Sequence, residues 1–161
     1  MPLPICAVLD NIRSLYNVGS CFRTADAAGI ERLYLCGITA APPHASIRKT
    51  ALGADERVPY EHHWNAAAVL ARLRTQGYRV AAIETGPGSI DLFDWQPLFP
   101  LAVVFGNEVD GVSQPLLDLS DVRVGIPMFG VKRSLNVSTA AGVVFYELLR
   151  KLRYDAKRPV D

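Results

Sequence analysis

The chain is poor in the features that mark several large protein classes. It has only three cysteines in 161 residues, Cys6, Cys21 and Cys36, and no CxxC pair. An odd number of widely spaced cysteines is typical of reduced, buried thiols rather than of a disulfide framework or a metal site. No apolar run approaches the roughly 20 residues of a membrane span, and no signal-peptide pattern is present. These absences predict a cytoplasmic protein that does not associate with membranes.

An excess of charge of one sign is also missing. Lys and Arg number 17 against 16 Asp and Glu, which gives a formal net charge of +1. The whole-chain charge therefore gives no sign of nucleic-acid binding, and any such binding has to come from a local basic patch. The candidate patch residues are Arg13, Arg48, Lys49, Lys132, Arg133 and Arg150. The alternative is that each is an ordinary solvated surface residue.

Sequence motifs for bound phosphates and metals are absent as well. The first apolar run is not followed by GxGxxG, and there is no GxxxxGK[ST], so a dinucleotide enzyme and a P-loop ATPase are both disfavoured. His62 and His63 are adjacent, so in an extended segment they point to opposite faces, and no third ligand has suitable spacing. We expect polar residues at the end of a strand here, and no metal.

Short apolar runs alternating with helical patterns dominate what is present. Buried strands are predicted at residues 4–9, 32–36, 78–84, 101–105 and 122–126. Helices are predicted at residues 17–28, 46–52, 65–76 and 138–152. A further helix is predicted to begin at Ser113, with Pro115 in its first turn. The pattern predicts a single α/β domain over residues 1–161, with a mostly parallel sheet covered by helices on both faces.

Three glycine-containing loops follow three of the predicted strands. They read TGPGS (85–89), GNEVDG (106–111) and MFGVKRS (128–134). In parallel sheets, ligands bind outside the carboxyl ends of the strands, and glycine lets backbone turn tightly or approach a ligand. We therefore expect these loops to share one pocket.

Some polar residues have both a structural and a functional interpretation. Asn17 can be a helix cap, Glu108 a turn residue, and Arg23 a surface arginine paired with Glu108 or Asp110. Arg23 nevertheless lies in a helix of small and apolar residues, where a guanidinium rarely lacks a partner. Spacing alone leaves these alternatives open.

The chain resembles the SpoU/TrmH family of S-adenosylmethionine-dependent RNA ribose 2′-O-methyltransferases, within the SPOUT superfamily. Three ordered motifs carry the resemblance: NVGSCFRTADAAGI, LAVVFGNEVDGVSQPLL and IPMFGVKRSLNVSTAAGVVFYE. The resemblance implies an α/β fold with a deep C-terminal trefoil knot, and a single SPOUT domain without a separate RNA-binding domain. Periodicity alone would not propose a knot, because knots are nearly absent from proteins.

The resemblance also implies a cofactor, a set of site residues and an oligomeric state. The loop containing MFGVKRSLNVS would hold S-adenosylmethionine, mostly through backbone groups, and no metal is implied. By position, the cofactor-binding residues would be Ile83, Gly106, Ile126, Met128, Gly130 and Leu135. The catalytic residues would be Asn17, Arg23, Glu108, Ser134 and Asn136. The family implies a homodimer. The small-residue faces of the first and last helices could bury such an interface, but they could equally well pack only against the sheet of their own chain.

The implied reaction is methyl transfer to a ribose 2′-hydroxyl of RNA. Because this near-minimal chain keeps SLNVS intact, it looks more like the tRNA branch, which includes modifiers of guanosine 18 in the D-loop. The alternatives are an rRNA 2′-O-methyltransferase, a SPOUT enzyme that methylates a base nitrogen, and a module that binds RNA or cofactor without turnover. A guanidinium is costly to deprotonate, so we expect Arg23 to orient the ribose and to stabilise negative charge on its oxygen.

Overall fold

The computed structural model describes residues 1–155 and contains a seven-stranded parallel sheet. The strands are β1 (Leu3–Asp10), β2 (Ile30–Cys36), β3 (Tyr60–His63), β4 (Arg79–Ile83), β5 (Ile90–Asp91), β6 (Leu101–Phe105) and β7 (Val122–Gly125). Their order across the sheet is β3-β2-β1-β6-β4-β7-β5. The predicted parallel sheet is confirmed. β3 and β5 are not among the predicted apolar runs because they are short and not strongly apolar, although His62 and His63 do end a strand as expected.

Residues 1–155 contain five α-helices, of which the first four connect strands and the fifth follows the last strand. They are α1 (Leu15–Ala28), α2 (Ala45–Ala51), α3 (Ala66–Thr75), α4 (Gln114–Leu119) and α5 (Val137–Arg153), with a 3₁₀ turn at Ala54–Glu56. The helix predictions are confirmed in place, but α1 is capped by Ser14, whose side chain accepts from Asn17 N–H. The prediction that Asn17 caps α1 is therefore wrong, because Asn17 lies in the first turn of the helix. Its side-chain amide contacts other residues instead.

The helices cover both faces of the sheet, as predicted. On one face, Phe22 of α1 and Phe145 of α5 share a buried cluster with the central strands, and Ile47 of α2, which packs on α1, joins this cluster. On the other face, Leu70 of α3 and Leu116 of α4 do the same. The central strands are thus buried on both sides, which explains why their sequences are continuously apolar rather than alternating.

The three cysteines are free and buried. Burial raises the pKa of each thiol to about 12, so the reactive thiolate is scarce at neutral pH. This agrees with the structural role predicted for them. None of the helices within residues 1–155 combines the length and apolar character that a membrane span requires.

Candidate active site

A cavity of about 280 Å³ lies at the carboxyl ends of β4, β6 and β7. Its walls come from the chain after each of these strands and from the start of α5. The lining residues are Ile83, Glu84, Thr85, Phe105, Gly106, Asn107, Glu108, Val109, Asp110, Gly111, Ile126, Met128, Ser134, Leu135, Asn136, Val137 and Ala140. The prediction that the three loops share one pocket is confirmed.

Glu108 ties the loop after β6 to the start of α1. Its two carboxylate oxygens accept hydrogen bonds from Arg13 N–H at 3.1 and 3.0 Å, and one also accepts from Ser14 N–H at 3.1 Å. The side-chain amide of Asn17 donates to the same carboxylate at 3.3 Å. A carboxylate at a helix N-terminus satisfies free backbone N–H groups and interacts favourably with the helix dipole.

These contacts determine the charge of Glu108. Burial by itself would raise the pKa of this carboxyl, but the hydrogen bonds from Arg13, Ser14 and Asn17 outweigh it and hold the pKa below its usual value. Glu108 is therefore ionised at neutral pH. Because its oxygens are occupied by donors from its own chain, its first role is to hold two loops together.

Asn17 and Asn136 extend this hydrogen-bonded chain to the third motif. The amide nitrogen of Asn136 donates to the amide oxygen of Asn17 at 3.1 Å. The amide oxygen of Asn136 caps α5, accepting from Ser138 N–H at 3.0 Å and from Thr139 N–H at 3.3 Å. The structure thus brings three of the predicted catalytic residues into contact although they lie far apart in the sequence.

The loop after β6 is a tight turn with no room for a side chain at Gly106. Asn107 and Gly111 exchange backbone hydrogen bonds of 3.1 and 2.9 Å across the turn. A Cβ on Gly106 would lie 2.2 Å from the carbonyl carbon of Gly111, and Gly111 has a φ of +71°. Glu84 also accepts a hydrogen bond of 2.8 Å from Val112 N–H. This packing fixes the floor of the cavity.

The predicted cofactor-binding residues mostly line the cavity. Ile83, Gly106, Ile126, Met128 and Leu135 are among its walls, as is Ser134, one of the residues predicted to be catalytic. Gly130 is not, because it lies on the exposed loop between β7 and α5 with open space around its Cα. The carboxylates of Glu84, Glu108 and Asp110 lie among the lining residues, which include no Lys or Arg within residues 1–155.

Arg23 lies apart from this cluster. It follows Asn17 by six residues on α1, so the two are about 9 Å apart along the helix axis and point in different directions. Within residues 1–155 its guanidinium forms no ion pair, and it lines a second, open depression with Lys49, Thr50 and Tyr146. The suggested pairing of Arg23 with Glu108 or Asp110 is therefore not observed.

The candidate basic patch residues do not form one cluster. Arg48 pairs with Glu56 at 2.9 Å, and Arg150 pairs with Glu147 at 2.8 Å. Lys49 lies over the Tyr16 ring, with its Nζ 5.8 Å from the ring centroid. Arg13 is exposed beside the site, and Lys132 and Arg133 are exposed on the loop before α5. Arg48 and Arg150 are thus partly neutralised, whereas the backbone of Arg13 contacts Glu108 at the cavity.

The pH dependence of stability provides a test of the Glu108 anchor. We expect Glu108→Gln to lower the free energy of unfolding at pH 7 by about 1 kcal/mol, because the amide keeps one acceptor oxygen and places a donor against backbone N–H groups. A carboxyl whose pKa is lowered on folding stabilises the protein above its unfolded pKa of about 4.3 and loses that contribution as the pH falls through its folded value.

The difference in unfolding free energy between wild type and Glu108→Gln should therefore be largest at neutral pH and shrink below about pH 4.3. Urea titrations across this range measure it. Glu56→Gln is a matched control, since within residues 1–155 the Glu56 side chain makes only an exposed ion pair with Arg48. A difference that is the same at every pH would contradict the anchoring role of the ionised carboxylate.

Some residues of the site were not found from the sequence. Glu84 and Asn107 hold the turn after β6, and Asn107 also donates from its side chain to Asn11 C=O at 2.8 Å. Both directly follow an apolar strand or its glycine, which is the position where polar side chains reach the carboxyl edge. Their position directly after an apolar strand could have identified them as site residues from the sequence.

Similarity to known proteins agrees with this geometry. The sequence matches the SpoU rRNA Methylase family over residues 4–146. The chain belongs to this SpoU family. It is 35% identical over 148 residues to a 23S rRNA (guanosine-2′-O-)-methyltransferase, RlmB, of Vibrio parahaemolyticus, which covers 92% of this chain and 60% of that protein. The chain thus spans about 60% of the length of the curated relatives it matches.

Solved structures of SpoU proteins share the fold. The A. aeolicus TrmH/SpoU tRNA modifying enzyme superposes with a TM-score of 0.86 at 27% identity, over 98% of this chain and 80% of that one. The SpoU methyltransferase AviRb from Streptomyces viridochromogenes, in complex with AdoMet, gives a TM-score of 0.85 at 27% identity, over 91% of this chain and 60% of that one. The α/β fold expected from the resemblance is therefore confirmed.

Proposed function

We propose that this chain is an S-adenosylmethionine-dependent methyltransferase that acts on a ribose 2′-hydroxyl of RNA. The observation that carries the proposal is the hydrogen-bonded chain from Glu108 through Asn17 to Asn136 at the rim of the cavity. It joins the three SpoU motifs at one point. Such a rigid polar rim beside an apolar cavity suits the positioning of a hydroxyl against a bound methyl donor.

The chemistry of the cavity fits this donor. Apolar side chains such as Ile83, Ile126 and Leu135 form a slot for a flat ring, and the crowded backbone around Gly106 presents polar groups directly. Among residues 1–155 the cavity is lined by carboxylates and by no Lys or Arg, which favours a positively charged ligand over a phosphate. When bound, S-adenosylmethionine supplies a methyl group on a positively charged sulfur.

Arg23 and Ser134 complete the proposed catalytic set. We assign to Arg23 the orientation of the ribose and the stabilisation of negative charge that develops on the 2′-oxygen as its proton leaves. Ser134 is exposed at the cavity and free to contact the substrate. Asn17, Glu108 and Asn136 hold the surfaces on which these contacts depend.

The position of Arg23 supports a homodimer. On its own subunit it points away from Asn17 and lines a depression with Ser20, Thr24 and Tyr146, a surface built from α1, α2 and α5. We propose that a second copy packs against this surface and that Arg23 of each copy serves the cavity of the other. A closed two-fold arrangement makes the two contributions equivalent.

The relatives and the sequence motifs favour different classes of RNA substrate. The motifs alone favoured tRNA, but the relative from Vibrio parahaemolyticus is described as a 23S rRNA methyltransferase. We therefore propose rRNA as the first substrate class. tRNA remains the second candidate, because the A. aeolicus protein with the same fold is described as a tRNA modifying enzyme.

The segment between β7 and α5 is where we place the proposed trefoil knot. It passes beside the loop after β4, with Thr85 Oγ1 and Arg133 C=O 3.5 Å apart, and its end forms a wall of the cavity. If this segment is threaded through a loop of the chain, the cavity wall that it forms cannot move away unless the protein unfolds. Knots are exceptional in proteins, so a functional reason of this kind supports the proposal.

Methyl transfer to RNA provides the test. Purified protein is incubated with S-adenosylmethionine carrying a labelled methyl group and with unmethylated rRNA and tRNA in separate reactions. Digestion to nucleosides and mass spectrometry should reveal a 2′-O-methylnucleoside from the rRNA, with the mass of the base unchanged after glycosidic cleavage. Label on the base would indicate base methylation instead. Cofactor binding without transfer to either RNA would indicate a module without turnover.

A further inference from the structure

An exposed tryptophan lies at the same edge of the sheet as the candidate active site. Trp64 directly follows β3 and is 78% exposed, whereas the second tryptophan, Trp95, is 6% exposed. Burying the large apolar surface of a tryptophan side chain is favourable in free energy, and an indole left in water does not contribute this stabilisation to the fold. Trp64 therefore contributes little to the core, and its ring is available to a partner surface.

Contacts within the protein hold the Trp64 side chain and its surroundings. The His62 and Trp64 rings meet edge to face with their centroids 5.0 Å apart. The other side of the His62 ring is fixed, since its Nε2 lies 3.2 Å from Gly37 C=O, and Gly37 N–H donates to His63 C=O at 3.0 Å. The two histidines are thus polar residues at a strand end, and His62 orients the indole.

Hydrogen bonds connect this edge to the active-site loops. Asn11, which follows β1, accepts from Ile38 N–H through its side chain at 3.1 Å and from the Asn107 side chain through its C=O at 2.8 Å. Asn107 adjoins Glu108. In the strand order, three spacings of about 4.8 Å separate the end of β3 from that of β6, roughly 14 Å. A few nucleotides of single-stranded RNA cover such a distance.

The surface between the two points has the chemistry of a nucleic-acid contact. Arg13 follows β1, which lies between β2 and β6, and its exposed guanidinium makes no hydrogen bond or ion pair within residues 1–155. Ile38, at the end of β2, is 60% exposed. Arg13 thus follows a strand two positions from β3 in the sheet order, between Trp64 and the cavity. An exposed cation and an exposed aromatic ring along one edge match the phosphates and unstacked bases through which proteins hold single-stranded RNA.

We infer that Trp64 stacks on an unpaired base of the substrate RNA a few nucleotides from the methylated ribose, with Arg13 contacting the phosphate backbone between them. This inference rests on the proposed function, because it takes RNA to be the substrate. It makes Trp64 a substrate-binding residue that selects RNA segments with an unpaired base at a fixed distance from the target.

Intrinsic fluorescence provides the first test, because the two tryptophans differ in exposure. Adding unmethylated rRNA or poly(A) to wild type should quench the emission and protect it from acrylamide, while Trp64→Phe, which retains only buried Trp95, should show neither change. RNA binding by Trp64→Phe is checked separately by filter retention. If the acrylamide quenching of Trp64 changes with protein concentration and is unaffected by RNA, the surface is a contact between copies and the inference is overturned.

Kinetics provide the second test. Trp64→Ala should raise KM for rRNA roughly tenfold with little change in kcat, since losing one stacked base weakens binding by about this amount. Trp64→Phe should restore most of the loss, whereas Trp64→Leu, which is apolar but not planar, should not. Leu98→Ala is the matched control, because Leu98 is 63% exposed and precedes β6 at the opposite edge of the sheet.

The outcomes separate this inference from the proposed function. Methyl transfer by wild type with unchanged KM in Trp64→Ala and no RNA-dependent quenching would overturn the inference and leave the function standing. RNA-dependent quenching that requires Trp64, in a protein that transfers no methyl group, would support the stacking contact and overturn the activity. An equal rise of KM in Trp64→Ala and Leu98→Ala would mean a general loss of apolar surface and would contradict stacking.

Discussion

A mixed dimer of Arg23→Ala and Asn136→Asp subunits is expected to transfer methyl groups at about half the wild-type rate per dimer, although either variant alone falls roughly 10²–10³-fold. Asn136→Asp keeps the oxygen that caps α5 but replaces the amide donor to Asn17 with a charge near Glu108. The fold of this variant should therefore persist while the rim of its own cavity is disrupted.

The reason for recovery lies in where each residue acts. The Asn136 contact with Asn17 forms within one subunit, whereas Arg23 points away from that contact and toward the proposed partner. In the mixed dimer, the Arg23→Ala subunit keeps an intact rim and receives Arg23 from the Asn136→Asp subunit. One of the two sites is then complete.

The reciprocal arrangement of the same substitutions is the control. Placing Arg23→Ala and Asn136→Asp in one chain and pairing it with a wild-type chain should give almost no activity, because the intact rim then faces the subunit that has lost its guanidinium. If Arg23 serves its own subunit, the two mixed dimers exchange their results. Two affinity tags and sequential purification yield each mixed dimer, and failure to isolate any would contradict the homodimer proposal.

Gly106→Ala is expected to lower the free energy of unfolding by roughly 3 kcal/mol and to abolish binding of S-adenosylmethionine. The new Cβ would lie 2.2 Å from the carbonyl carbon and oxygen of Gly111 and 2.3 Å from Val112 N. These are backbone atoms of a hydrogen-bonded turn, so they cannot move aside as a flexible side chain can. Relief requires opening the turn that carries Glu108.

Gly142→Ala is the matched control for this substitution. Its Cβ would meet only the Thr24 methyl at 3.6 Å, an ordinary contact, and alanine is favoured over glycine within a helix such as α5. Urea unfolding and calorimetric titration with S-adenosylmethionine measure both effects. Wild-type stability together with wild-type affinity in Gly106→Ala would show that the turn after β6 opens freely and would remove it from the proposed cofactor site.

Much of the site was predictable because its residues belong to local patterns. The alternation of apolar runs with helical segments predicted the strands around residues 82 and 103, and glycine-containing loops after them predicted a shared pocket. Other features failed for local reasons. Asn17 has the residue type of a helix cap, but Ser14 precedes it and takes that position. YEHH at 60–63 lacks the branched residues that mark a strand.

The sequence by itself determined the α/β alternation, the apolar core strands and the three ordered motifs, because propensity and hydrophobic period are properties of neighbouring residues. Only the tertiary structure decided that the loop after β6 meets the start of α1. β1 pairs with β6 across more than 90 residues, and this pairing places Glu108 against Arg13 and Asn17. It also leaves Arg23 on the opposite side of α1. Such contacts depend on strand order and on helix packing against the sheet, which local sequence does not encode.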